Sequence, residues 1–214
     1  MATITHLRRA AARAPAPLNG KVQRAAPPRR APNRVRRTRE HLTPAEVERL
    51  IAAAGKAGRH GHRDATLMLL TYRHALRVGE LVALRWEQVD LTDGFLHVNR
   101  LKNGVPSTHP LRGPELRALR RLLWDSSSPY VFTTERKGPL TTSAARKIAA
   151  RVGEGAKIGF PVHPHMLTHA TGYYLANRGE DTRSIQAYLG HRNISHTVRY
   201  TEMAPDRFKG FWKD

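Results

Sequence analysis

Tyr200 closes the stretch Leu189-Gly190-His191-Arg192-Asn193-Ile194-Ser195-His196-Thr197-Val198-Arg199-Tyr200. A Leu-Gly-His turn followed nine residues later by a tyrosine is an uncommon spacing. A tyrosine hydroxyl can attack a phosphodiester and hold the broken strand covalently. Such a transfer also needs cations on the non-bridging oxygens and an acid for the leaving oxygen. Separate segments offer both. Arg77, in His74-Ala75-Leu76-Arg77-Val78-Gly79-Glu80, brings a permanently charged fork that suits phosphate. Glu80 follows it by one helical turn and is placed to orient it. Lys102 offers a proton for a departing sugar oxygen. His165, Thr168 and His169 share one helix face by their spacing, and His191 sits in the glycine turn itself.

Each residue alone has a plainer reading. Arg77 reads as a surface arginine with an i,i+3 partner, Lys102 as one of many basic residues, and Tyr200 as a half-buried amphipath. Two histidines four apart can also chelate zinc. No glutamate of the metalloprotease kind lies between them and the chain has no cysteine, which disfavours a metal. Acid–base work or donation to phosphate suits these histidines better. The set as a whole favours phosphate chemistry.

The elements that carry these residues are legible in outline. Thr43-Pro44-Ala45-Glu46 is a capping box with proline at the first helical position, and Leu42 with Val47 forms a hydrophobic staple. Helices are expected over 65–74 and 79–86. Thr92-Asp93-Gly94 reads as a turn, 95–100 as a strand, and Asn103-Gly104 as a tight hairpin turn with a return strand over 105–111. That hairpin puts Lys102 at its tip. Further helices are expected over 114–124, 142–151, 165–178 and 181–189. Asp181 serves as an N-cap, and Gly179 and Gly190 as left-handed C-terminal caps. Tyr130-Val131-Phe132 reads as one more short strand. The fold class is mainly α with a small antiparallel β-sheet.

Composition narrows the partner. The 214 residues carry 37 Lys and Arg against 17 Asp and Glu, a net charge of +20. Nucleic acid is the first candidate for such an excess. A membrane surface is disfavoured, because no long apolar run or signal peptide is present. Residues 1–39 hold Arg8, Arg9, Arg13, Lys21, Arg24, Arg29, Arg30, Arg34, Arg36, Arg37 and Arg39 and no acid. This Pro/Ala/Arg-rich stretch has no apolar period and is expected to be disordered. It reads either as an arm that binds phosphates without reading sequence or as an inert soluble leader. The folded domain is expected over 40–214.

The segments Ala75-Leu76-Arg77-Val78-Gly79-Glu80-Leu81, Leu84-Arg85-Trp86, His165-Met166-Leu167-Thr168-His169, Leu189-Gly190-His191 and Val198-Arg199-Tyr200-Thr201 together resemble the tyrosine recombinases, or phage-type integrases. The resemblance is closest to the short fimbrial phase-switch type, which lacks a separate core-binding domain. It implies the recombinase catalytic-domain fold and a site-specific recombinase that cuts and rejoins DNA through a 3′-phosphotyrosyl link. Tyr200 is the implied nucleophile and Arg77 the phosphate clamp, with Glu80 in support. Lys102 assists the leaving oxygen, His165 does acid–base work, and His191 hydrogen-bonds the phosphate. No metal or nucleotide cofactor is implied. The implied partner is double-stranded DNA, bound by four copies on paired sites in the cytoplasm, at the nucleoid. Phe208, Phe211 and Trp212 read either as a contact to a neighbouring copy or as core.

Two positions depart. Gly79 does so mildly, where a Ser-like helix cap is common in the family. Thr168 stands where the family has its second arginine, and a neutral hydroxyl cannot neutralise developing charge; neighbouring His169 or Arg199 is a candidate to compensate in part. Losing one transition-state donor costs about 10²–10³ in rate. Two readings follow: an active recombinase, or a weak or inactive DNA-binding protein that occupies recombination sites or regulates an active relative. The arm carries a prediction of its own. Deleting residues 1–39 is expected to lower DNA affinity and to flatten its dependence on salt, measured by titration at several salt concentrations. An unchanged slope refutes the arm.

Overall fold

The computed structural model describes residues 39–101 and 104–202. Lys102, Asn103, Phe208, Phe211, Trp212 and the arm with Arg29, Arg30, Arg34, Arg36 and Arg37 lie outside the described residues. The first helix, α1 (Pro44–Lys56), begins as the capping box requires. Thr43 accepts from the Glu46 amide, and Glu46 accepts from the Thr43 amide at 2.8 Å. Leu42 and Val47 are both buried, as a staple should be. α2 (Gly61–Arg73) packs beside α1. At its end the chain turns sharply through Ala75, whose φ of 50° is left-handed. That conformation is costly for a residue with a Cβ.

The next helix is shorter than expected. α3 covers Val78–Val82, and a single 3₁₀ turn follows at Trp86–Gln88. The helix stops because the backbone is needed elsewhere. Arg85 bridges Tyr130, and the Trp86 amide donates to the Pro129 carbonyl at 3.0 Å. Leu81, Val82 and Leu84 still face inward. The expected strand at 130–132 is reduced to that one bridge.

The sheet is antiparallel in the order β1-β2-β3, with β1 (Val89–Asp90), β2 (Phe95–Val98) and β3 (Ser107–Pro110). β1 has no clear sequence signal, since it is two residues long. Register pairs Leu96 with His109 and Val98 with Ser107. The ladder therefore ends at Val98 and Ser107, short of the expected strand ends, and the turn expected at Asn103 lies outside the described residues. Two causes are visible. Arg100 and Leu101 bond to Glu80 instead of to the opposite strand, and Pro106 has no N–H for the ladder.

The remaining helices follow the apolar pattern: α4 (Gly113–Trp124), α5 (Thr142–Gly155), α6 (Pro164–Asn177), α7 (Thr182–Leu189) and α8 (Ser195–Glu202). Asp181 caps α7 through the Arg183 and Ser184 amides, and Gly179 and Gly190 have φ of 78° and 65°. The main core lies among α1 to α6 and the sheet. A smaller apolar cluster joins Ala75, Tyr173, Ala176, Ile185, Leu189 and Tyr200. The ring of the candidate nucleophile is therefore structural as well as chemical.

A buried polar cluster ties the sheet to α7. His109 stacks on Tyr188 with ring centres 3.9 Å apart, and its Nδ1 lies 3.3 Å from His74 Nδ1. His74 Nε2 is 2.9 Å from the Glu115 carboxylate. Burial, then His74 and Arg100, push the His109 pKa down to about 3. In the unfolded chain His109 takes a proton near pH 6.5, while the folded protein refuses it until about pH 3. Its contribution is thus present above pH 6.5 and declines as pH falls. His109→Gln is expected to flatten the loss of stability between pH 6.5 and 4.5 by about one proton, read from urea melts. An unaltered slope refutes the assignment.

Candidate active site

The site begins with the carboxylate of Glu80, which is buried at the third position of α3. It accepts from the Arg77 amide at 2.9 Å, from Arg100 Nη1 at 3.0 Å and from the Leu101 amide at 3.2 Å. Arg77 Nη1 is 3.4 Å away and also donates to the Leu101 carbonyl at 3.1 Å. One corner of the Arg77 guanidinium is therefore anchored, and the side chain stays one-third exposed toward an open cavity.

Arg100 completes this support. Its side chain is fully buried and donates to the carbonyls of Ala75, His74 and Tyr188. The bond to Ala75 holds the strained turn that presents Arg77. A Cβ at Gly190 would come within 2.5 Å of Arg100 Nε, so that position must be glycine for spacing as well as for φ. Burial lowers the Arg100 pKa, and Glu80 raises it in opposition.

Tyr200 is 2% exposed, with its ring against Gly172 of α6. A Cβ at Gly172 would stand 2.8 Å from Tyr200 Cε2 and Cζ, so only glycine leaves this slot open. The phenol oxygen lies 2.7 Å from His169 Nδ1. Burial raises the Tyr200 pKa to about 12, opposed by Arg199. Burial and then neighbouring charges lower His169 to about 3. His169 is thus neutral and can accept the phenol's hydrogen bond. Proton transfer across this gap is strongly disfavoured, because burial pushes the phenol up and the imidazole down. In the resting site His169 aims the hydroxyl without removing its proton.

A cavity of about 390 Å³ opens on this hydroxyl, walled by Arg77, His165, His169, His191, Arg199 and Glu40 among others. His165 stands edge-on to His169, with ring centres 4.3 Å apart. His191 Nδ1 is 2.9 Å from the Thr197 hydroxyl, and burial followed by Arg77 lowers its pKa to about 4. A second, basic cavity shares Arg77 and His191 and is lined by Arg183, Arg192 and Gly104. The connection that carries Lys102 therefore reaches the site's edge at Gly104. Thr168 also lines the first cavity, but its hydroxyl donates to the Leu76 carbonyl at 3.2 Å.

The model of the phage integrase family matches residues 40–207. The chain belongs to the phage integrase family. It is 42% identical over 182 residues to the type 1 fimbriae regulatory protein FimE of Escherichia coli (strain K12), covering 82% of this chain and 91% of that one. Tyrosine recombinase XerD of Ralstonia nicotianae is 36% identical over 186 residues, covering 83% of this chain and 59% of that one. In fold, the integrase domain superposes on XerH recombinase bound to palindromic difH substrate, a post-cleavage complex. The TM-score is 0.69 at 19% identity, over 78% of this chain and 51% of that one. The chain is thus as long as FimE within a tenth, and spans between half and three-fifths of the other two.

The structure brings Tyr200, Arg77, His165, His191 and Thr168 to one cavity, with Glu80 behind Arg77. Two contributors were not assigned from sequence: Arg100 reads as the last residue of a strand, and Gly172 carries no signal without Tyr200 beside it. His169 reads as an acid–base or phosphate-donor candidate, and the structure adds its contact with the Tyr200 hydroxyl. Because Arg100 compensates a buried carboxylate, Arg100→Met is expected to cost about 3–5 kcal/mol in urea unfolding. A loss under about 1 kcal/mol shows that Glu80 finds compensation elsewhere.

Proposed function

We propose that this integrase-family protein is an active site-specific recombinase whose nucleophile is Tyr200. The observation that carries this reading is the Tyr200 hydroxyl, aimed by a neutral His169 at 2.7 Å into a cavity that also holds Arg77, His165 and His191. Double-stranded DNA is the substrate. Its scissile phosphate enters the first cavity, and the strand continues past Arg183 and Arg192 along the second.

In the cleavage step a bond forms from Tyr200 Oη to phosphorus, and the bond from phosphorus to the 5′ oxygen breaks. The phenol proton passes to His169 Nδ1, and the 5′ oxygen leaves as a hydroxyl after taking a proton. Lys102 is the assigned donor, with His165 as the alternative acid. Arg77 holds the non-bridging oxygens and His191 donates to one of them. The entering phosphate itself loosens the resting proton lock. An anion beside His169 raises its pKa, while cations gathered on the phosphate stabilise the phenolate. Rejoining reverses these bonds and needs neither metal nor nucleotide. Four copies act on paired DNA sites, on the nucleoid.

A second reading has its own observation. The Thr168 hydroxyl is spent on the Leu76 carbonyl and offers the phosphate nothing. On that reading the protein binds recombination sites and competes with an active relative. A nicked suicide duplex, drawn from a random pool by selection for binding, separates the two. Wild type is expected to give a denaturant-resistant protein–DNA adduct and Tyr200→Phe none. Equal adducts from both refute the nucleophile, and tight binding without any adduct from wild type supports the competitor reading.

A further inference from the structure

Thr168 cannot serve as a second phosphate cation, since it is 6% exposed and bonded to Leu76. The cavity nonetheless contains a second guanidinium. Among the described residues that line it, the arginines are Arg77, the N-cap of α3, and Arg199, on α8. Arg199 immediately precedes the nucleophile, and its guanidinium carbon lies 5.6 Å from the centre of the Tyr200 ring. It has an anion already. Arg199 Nη2 pairs with the carboxylate of Glu40, 159 residues away in the chain, and Glu40 lines the same cavity.

This pair differs from the one beneath Arg77. Both of its side chains are about two-fifths exposed, at 41% and 43%, whereas Glu80 and Arg100 are 2% and 0%. A solvated ion pair is weak and screened by salt, so its partners can be exchanged. A phosphodiester that is already held by Arg77 is a competitive anion for Arg199. The fork of a guanidinium takes two phosphate oxygens as readily as two carboxylate oxygens. The Glu40 carboxylate thus marks a place where this cavity accepts a negative group.

We propose that Arg199 is the second guanidinium of the phosphate clamp, reached from the nucleophile's own helix, and that Glu40 is a displaceable counter-ion covering it until DNA enters. The inference rests on the recombinase reading above. It explains how the family's chemistry survives Thr168: the missing charge comes from another helix that lines the same cavity. It also links the clamp to the attack, because Arg199 and Tyr200 move together on α8.

The test is single-turnover trapping on the suicide duplex, at saturating protein, with melting temperatures recorded for every variant. Arg199→Ala and Arg199→Gln are each expected to slow adduct formation by about 10²–10³-fold. Adding Thr168→Arg to Arg199→Ala is expected to restore about tenfold or more. A purely structural role for Arg199 would not be rescued from a different helix. Glu40→Gln is expected to form adduct at least as fast as wild type. Arg199 variants within about threefold of wild type, absence of rescue, or a Glu40→Gln slowed more than about tenfold each overturn the proposal. A wild type that makes no adduct overturns the recombinase reading and this assignment with it. A wild type that traps DNA beside an equally active Arg199→Ala overturns this assignment alone.

Discussion

The buried carboxylate of Glu80 is the constraint on which the site depends. It gathers the Arg77 amide, the Arg77 side chain, Arg100 and the Leu101 amide around two oxygens. A buried charge is tolerated only when its partners are complete. Completing them ties residues 77–80 to residues 100–101. Arg100 extends the same grip to the carbonyls of Ala75 and His74 before the clamp and of Tyr188 ahead of the Gly190 turn. The left-handed Ala75, the truncated ladder after Val98 and the bare Gly190 are the local costs of that arrangement. What results is an anchored arginine at the N-cap of a helix of only five residues.

The second theme is charge neutrality in a cationic cavity. His169 and His191 both hold pKa values well below ordinary histidine, because they are buried and lie among other histidines and arginines. Neutral imidazoles there can accept a proton or orient a hydroxyl without adding to the repulsion among the cations. A phenol pushed to about 12 is inert in this resting state. Negative charge brought by a ligand shifts both groups in the direction the reaction needs. Reactivity is then tied to occupancy of the site.

Much of this was legible in the sequence, for identifiable reasons. Caps and turns have local chemistry, so the start of α1 at Thr43, the Asp181 cap and the left-handed Gly190 could be read directly. The cluster of Arg77, His165, His191 and Tyr200 was legible through the resemblance to a family, since spacing alone leaves each residue with a plainer reading. The strand boundary at Val98 was not legible. Nothing local shows that Arg100 bonds to a carboxylate 20 residues upstream in place of a strand partner. Gly172 was invisible for the same reason, because its requirement comes from a ring 28 positions further along. The strand ends were overextended because register is set by what the flanking residues bond to.

The ring slot beside Gly172 has a consequence for how the molecule comes into being. Synthesis runs from the amino end, so Arg77, His165 and His169 leave the ribosome before Tyr200. The slot is an apolar notch in α6 that stays unfilled until α8 arrives. Its closure therefore waits on α8, the last described helix, so the smaller apolar cluster cannot be completed by α6 and its earlier neighbours alone.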